Sequence, residues 1–195
     1  MLPERRCHGC GGANPGYLEL CPECLRHGGR PWDFAVAAFP FHGLVRDAIH
    51  CFKYRHRSSL APFLARCMSD AWTTQAKNRR LDAVTPVPLH WFRAWQRGYN
   101  QSALLSRRIA ERLGIPHQTL LRRIRYTRQQ ARMDLVQRQK NIRNAFAAAS
   151  RSAIAGQHLL LVDDVFTTGA TLAAATTSLL DAGAASVAVL TIARD

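Results

Sequence analysis

An apolar run that stops at two adjacent carboxylates constrains this chain more than any other feature. Residues 159–171 read Leu-Leu-Leu-Val-Asp-Asp-Val-Phe-Thr-Thr-Gly-Ala-Thr. Four aliphatic residues in succession suit a buried strand rather than a half-exposed one. A loop of small and hydroxyl-bearing residues follows. Then come a segment of helical composition from Ala170 to Ala182, a stop at Gly183, and a second apolar strand from Ser186 to Ala193. Strand, loop, helix and strand in this order predict a βαβ unit with a right-handed crossover. The expected class is therefore α/β, a mostly parallel sheet with helices on both faces.

The same string predicts a chemistry. The strand, expected over 158–163, would end at Asp163 and Asp164 and hold both carboxylates in place. The loop amides, with the hydroxyls of Thr167, Thr168 and Thr171, suit the wrapping of a phosphate. The next helix points its positive N-terminal end at the same place. Gly169 allows positive φ and a close backbone approach. Together these predict a sugar-phosphate site; the plainer alternative is a solvated acidic turn after a buried strand.

Ligands of open α/β sheets sit beyond the carboxyl ends of the strands. A second segment reaches such an end: Asp82 to His90 reads as a short strand running into a loop constrained by Pro86 and Pro88. Arg93, Arg97, Gly98, Tyr99, Asn100 and Gln101 follow, before a helix that turns Leu104, Leu105, Ile109 and Leu113 inward and stops at Gly114. Pro88, Leu89, Arg93 and Arg97 are candidates for a second anion pocket, arginine offering planar, bidentate recognition of phosphate oxygens. The chain contains neither a Gly-Lys-Ser/Thr phosphate loop nor a Gly-x-Gly-x-x-Gly string, which argues against an NTPase or a dinucleotide enzyme.

Four of the six cysteines form two pairs, Cys7-x2-Cys10 and Cys21-x2-Cys24. Each pair suits one tight chelating turn, and two such turns complete a tetrahedral, structural Zn²⁺ site. The alternatives are disulfides, disfavoured in a reducing compartment, or a ligand set in which His8 or His27 replaces a cysteine. With little core of its own, the module is expected to fold mainly through its metal. Gly28-Gly29-Arg30-Pro31 marks its end, giving a zinc module over 1–30 and a main domain over 31–195. Cys51 and Cys67 are expected in the core.

Between these lie a strand from Phe34 to Phe41, expected at a sheet edge, and two amphipathic helices. The first would turn Leu44, Val45, Ala48, Ile49 and Phe52 inward, the second Leu60, Phe63, Leu64 and Met68. Lys53-Tyr-Arg-His-Arg57 between them reads as a solvated turn or a phosphate contact, the turn being favoured.

A formal net charge of +14 suits polyanionic partners. The charge concentrates in residues 122–143, where Arg122, Arg123, Arg125, Arg128 and Arg132 belong to a run of eight basic residues against the single acid Asp134. This stretch is expected as a flap over the pocket or as a solvated helical face. With nearby aromatics (Trp91, Phe92, Trp95, Tyr99, Tyr126), its first five arginines are candidates for single-stranded DNA. No apolar stretch is long enough to span a membrane, and the opening Met-Leu-Pro-Glu-Arg-Arg-Cys has no leader-like apolar region. The expected location is the cytoplasm.

The Leu159–Thr171 string resembles the signature of type I phosphoribosyltransferases for 5-phosphoribosyl-1-pyrophosphate (PRPP). Further strings extend the likeness over nearly the whole chain: the cysteine quartet, Leu44 to Tyr54, Pro86-Val-Pro-Leu-His90, Arg97-Gly-Tyr-Asn-Gln101, Arg125 to Gln130 and Arg138-Gln-Lys-Asn141. In these the chain resembles the ComF family, which includes proteins called ComFC and GntX; it departs at His56, where a glycine is expected. The resemblance implies a type I phosphoribosyltransferase-like, Rossmann-like domain joined to an N-terminal zinc finger. Carried over by position, Asp163 and Asp164 would hold the ribose hydroxyls. Phe166, Thr167, Thr168, Gly169, Ala170 and Thr171 would form the 5′-phosphate loop. Mg²⁺ would bridge pyrophosphate and ribose oxygens, bound mainly through the ligand. Two functions follow as expectations. One is a competence protein that binds PRPP, handles single-stranded DNA during transformation, and meets protein partners of the uptake machinery. The other is an active phosphoribosyltransferase that moves the pentosyl group to an unidentified acceptor and releases pyrophosphate.

Overall fold

The computed structural model describes residues 5–14, 16–55, 57–89, 98–124 and 145–195. Four of its strands, β1 (Phe34–Pro40), β2 (Ala83–Pro86), β5 (His158–Phe166) and β6 (Ser186–Arg194), form one sheet in the order β1-β6-β5-β2. All three pairings are parallel, and β1 lies at an edge, as its sequence suggested.

Alternation along the inner strands divides the core into two layers. Leu160 and Val162 of β5, with Leu190 and Ile192 of β6, face α2 (Gly43–Tyr54), α3 (Ala61–Gln75) and α4 (Gln101–Leu113) through Ile49, Phe52, Leu64, Met68, Trp72, Leu105 and Ile109. Leu159, Leu161, Val187 and Val189 point the other way. They pack on Leu172, Ala175 and Leu179 of α5 (Ala170–Asp181) and on the antiparallel pair β3 (Leu121–Arg123) and β4 (Phe146–Ala148). Each fully buried aliphatic or aromatic side chain contributes about 2 kcal/mol.

Some expectations give way to packing. β5 does not stop at Asp163; it runs on to Phe166 because β6 continues beside it, pairing Asp163 with Thr191, Val165 with Ala193 and Phe166 with Arg194. Phe63 is 55% exposed and lies under the Arg66 guanidinium, because Leu64, Ala65, Met68 and Trp72 set the buried face of α3. Leu44 is 87% exposed, since Ile49 and Phe52 define the buried side of α2. Cys51 and Cys67 are half-buried on their helices rather than in the core. The β3–β4 pair had no legible signal in strands of only three residues.

The cysteine segment, which includes the short helix α1 (Pro22–Arg26), covers the outer edge of the sheet. The Ala35 amide donates to the His8 carbonyl at 2.8 Å, and the Trp32 indole donates to the Gly9 carbonyl at 2.9 Å. A Cβ on Gly11 would meet the Ala37 nitrogen at 2.4 Å, so only glycine allows this backbone-on-backbone approach, at φ 71°. The four cysteines share one apolar cluster with Trp32, Ala35 and Phe166.

Candidate functional site

β2 makes its last ladder pairing between Pro86 and Val162, closed by the Val87 amide on the Val162 carbonyl at 2.9 Å. Pro88 has no N–H with which to continue. One residue further along β5, Asp163 and Asp164 therefore keep β6 on one side and lose β2 on the other. The step opens a cleft of about 330 Å³ at the carboxyl ends of the strands. Asp163, Asp164, Pro88 and Leu89 line it, as do Thr167 to Thr171. Phe166 does not; its ring is buried behind the loop, where it packs edge-on against Trp32.

The carboxylates are held by different partners. Asp163 Oδ1 accepts from Ser102 Oγ and from the Asp164 amide, each at 2.9 Å. Asp164 Oδ1 lies 2.8 Å from Lys53 Nζ, an ion pair in which each side chain is less than one-fifth exposed (18% and 13%). Burial, and then the neighbouring Asp164 carboxylate, push the Asp163 carboxyl up to about 7; the Asp164 amide, Ser102 and Lys53 pull the other way.

Lys53 is therefore a cleft residue, not a solvated turn. The tripeptide Tyr99-Asn100-Gln101 explains its placement. The Tyr99 hydroxyl donates to the Phe52 carbonyl, and the Gln101 amide reaches the Lys53 carbonyl at 3.5 Å, which together anchor the end of α2. Asn100 caps α4 by accepting from the Ser102 and Ala103 amides, and it donates to the Val87 carbonyl at 3.2 Å. Three chain segments thus meet at one helix start, which aims Ser102 at Asp163. An asparagine directly before a helical segment is an N-cap signal that the sequence reading left unused; its bond to Val87 leaves no such signal.

The loop from Phe166 to Thr171 turns at Gly169, φ 78°, where a Cβ would sit 2.8 Å from the Phe166 ring. Thr167 and Thr168 are exposed to the cleft mouth, and the Ala170 amide donates to Thr168 Oγ1 at 3.4 Å. The Ala173 amide bonds the Gly169 carbonyl, which leaves the Thr171 and Leu172 amides at the start of α5 as the donors suited to an anion. Across the cleft, Arg123 lines the rim with its guanidinium over Phe146, while Arg122 is exposed and outside the lining. Arg93, Arg97, Arg125, Arg128 and Arg132 lie outside the described residues, as do Trp91, Phe92, Trp95, Tyr126 and His56.

A second centre sits on the opposite side of the loop. The Sγ atoms of Cys7, Cys10, Cys21 and Cys24 lie within 4.8 Å of one another, all buried and all free thiols. Burial pushes the Cys10 thiol above its usual range and Cys24 to about 11, although the Arg30 guanidinium beside Cys24 favours its thiolate. Buried donors test whether a metal fits. Nε of Arg194, and Nε and Nη2 of Arg30, have no hydrogen-bond partner among the described residues. Both arginines lie against the thiols. Four thiolates around a divalent cation carry two negative charges; Arg30 would offset one of them, and Arg194, already paired with Glu23, keeps its Nε for donation to sulfur. The residues fit a closed four-sulfur metal site. His8 and His27 are not in the cluster; the His8 ring packs edge-on against Phe34.

The family model described as phosphoribosyl transferase domain matches residues 100–195. Competence protein F of Haemophilus influenzae is 34% identical over 172 residues, covering 85% of this chain and 74% of that one. The chain belongs to the ComF family. Within it, DNA utilization protein YhgH of Salmonella typhi is 31% identical over 205 residues, covering 96% of this chain and 89% of that protein. Competence protein ComFC of Bacillus subtilis is 26% identical over 159 residues, 81% of this chain and 63% of that one. The phosphoribosyl transferase match contains the acidic pair, the threonine loop, Asn100 and Ser102; Lys53 and the four cysteines precede it. Among the described residues, no helix is long and apolar enough to cross a membrane.

Proposed function

We propose that this ComF-family chain binds PRPP with Mg²⁺ in the Asp163–Asp164 cleft and handles single-stranded DNA during uptake of transforming DNA. The observation that carries the reading is the joint placement of two carboxylates and a threonine-glycine phosphate loop on one cleft. Asp163 and Asp164 accept hydrogen bonds from the two ribose hydroxyls. The loop amides and Thr167, Thr168 and Thr171 hold the 5′-phosphate, with Gly169 and Ala170 bringing the backbone close and Phe166 bracing it from behind. Pro88 and Leu89 offer the pyrophosphate side, with Arg93 and Arg97 as charged candidates. Ser102 and Lys53 already engage the two carboxylates. Mg²⁺ therefore fits through the ligand's own oxygens and water, where it neutralises pyrophosphate charge.

Support for the DNA half comes from the names of the relatives, competence protein F and DNA utilization protein YhgH. Further support comes from the net charge of +14, from Arg123 at the cleft rim, and from Arg122, Arg125, Arg128 and Arg132 beside it in the sequence. Residues 1–30 form the zinc module, Zn²⁺ on Cys7, Cys10, Cys21 and Cys24, and residues 31–195 the phosphoribosyltransferase-like domain. Free buried thiols suit a reducing cytoplasm. Proteins of the uptake machinery are the partners this reading expects.

Calorimetry of PRPP with Mg²⁺ tests the pocket: wild type binds, and Asp163→Asn/Asp164→Asn loses roughly a hundredfold in affinity, two charged hydrogen-bond acceptors being replaced. Unchanged affinity in the double variant refutes it. The logarithm of the affinity for a single-stranded oligonucleotide should fall linearly with log salt; a flat response refutes the DNA half. One observation favours turnover as a second reading. A carboxyl pushed up to about 7 can exchange a proton near neutrality. PRPP-dependent release of pyrophosphate over a panel of acceptors decides it.

A further inference from the structure

Arg30 sits in the Gly28–Pro31 stretch that in sequence looks like no more than a module boundary. In the fold it joins both centres. Its Nη1 donates to the Thr168 carbonyl, in the middle of the phosphate loop, at 3.0 Å. Its guanidinium lies 5.4 Å from the centre of the Phe166 ring, which backs that loop, and 5.8 Å from the Trp32 ring. Trp32 in turn donates to the Gly9 carbonyl between the first two cysteines. The guanidinium lies beside Cys24, and its Nε and Nη2 are buried without a partner among the described residues. The guanidinium lies against two mutually perpendicular rings, with one nitrogen spent on the loop and two buried beside Cys24, where a charged thiolate would satisfy them better than a neutral thiol.

We propose that Arg30 is a positioning residue that couples the four-cysteine metal site to the phosphate loop, so that metal in the first raises the affinity of the second for a phosphorylated ligand. With metal bound, the Cys24 thiolate would accept charge-assisted hydrogen bonds from the buried guanidinium nitrogens. The third then fixes the Thr168 peptide, and with it the direction of the adjoining loop amides. Coupling of this kind is reciprocal: a ligand that orders the loop must also change the surroundings of the metal. The cleft side of this inference rests on the PRPP reading above, while the loop–metal contact does not.

The test uses full-length, metal-loaded protein with Arg30→Met, which keeps bulk and removes all donors, and Arg30→Lys, which keeps charge and loses the fork. Three measurements are taken on each: metal content, amide exchange of the 167–171 peptide without ligand, and the thiolate-to-metal absorption of the cobalt-substituted form titrated with PRPP and Mg²⁺. Both variants are expected to retain about one metal per chain through the four sulfurs. Loop exchange in Arg30→Met should rise about tenfold or more, and PRPP affinity fall by a similar factor, with partial recovery in Arg30→Lys. The cobalt bands should shift with PRPP in wild type and stay still in Arg30→Met. Faster loop exchange in Arg30→Met beside a wild type that fails to bind PRPP would support the loop–metal link and overturn the ligand reading. Loss of metal from both variants, or unchanged loop exchange and affinity with metal retained, overturns the proposal.

Discussion

Replacing Asp163 by asparagine should stabilise the free protein at alkaline pH while weakening its ligand site. Asparagine keeps the shape, and its carbonyl oxygen can accept the same two bonds, from Ser102 Oγ and the Asp164 amide, each at 2.9 Å in the wild type. What it removes is an anion pressed against Asp164. That carboxyl is pushed from its usual value of 3.8 to about 7, chiefly by burial and then by Asp164. The folded chain therefore binds a proton that the unfolded chain has released across this window. Stability contributed by the protonated group is complete below the unfolded value and is lost as pH rises through the folded one. Three decades of proton affinity would correspond to ~4 kcal/mol for a carboxylate shut off from water. Asp163 faces an open cleft with Lys53 nearby, which reduces the effect to about 1–2 kcal/mol. For a chain of this size the expected rise in Tm is about 3–6 °C. The assay is thermal unfolding of both proteins near pH ~8.5 and again near pH ~5, where wild-type Asp163 is protonated and the difference should vanish. Equal Tm values at the higher pH, or a variant less stable at both, would refute the account of strained charge in the cleft.

Lys53→Met should act with the opposite sign. It strips Asp164 of the ammonium at 2.8 Å and leaves two adjacent carboxylates without a counter-charge, at a cost of about 2–3 kcal/mol above neutral pH, read as a lower urea midpoint. Gly169→Ala places a Cβ 2.8 Å from the Phe166 ring at φ 78°, so the chain should lose roughly 1–2 kcal/mol. PRPP affinity should drop with it; calorimetry finding wild-type binding would show that the loop does not need this turn.

Legibility in the sequence follows the range of the interaction. Asp163, Asp164 and the threonine loop were readable because strand, turn and helix are consecutive, and each residue type meets a local demand. The cysteine quartet was readable because each half of a four-sulfur site is a two-residue spacing. Lys53 was not. Its own neighbours, Tyr54, Arg55 and Arg57, look like a solvated basic turn. Tyr99 and Gln101, nearly fifty residues away, anchor it beside Asp164. The buried faces of α2 and α3 were misjudged at Leu44 and Phe63 for a related reason. A helical period of 3.6 offers several adjacent apolar stripes, and the sheet chooses one.

By itself, then, the sequence determined that the chain would be an α/β protein with an acidic pair, a phosphate-type loop and a four-thiol cluster. Each of these is a short-range statement about backbone preference and chelate spacing. Tertiary structure alone decided that Asp163 is held by Ser102 and Asp164 by Lys53, and that the end of β2 opens the cleft beside them. It also decided that Arg30, at an apparent boundary, lies between the thiols and the loop. These placements depend on strand register and helix packing across tens of residues, where charge and hydrogen-bond partners are set by distance in space and leave no periodic trace along the chain.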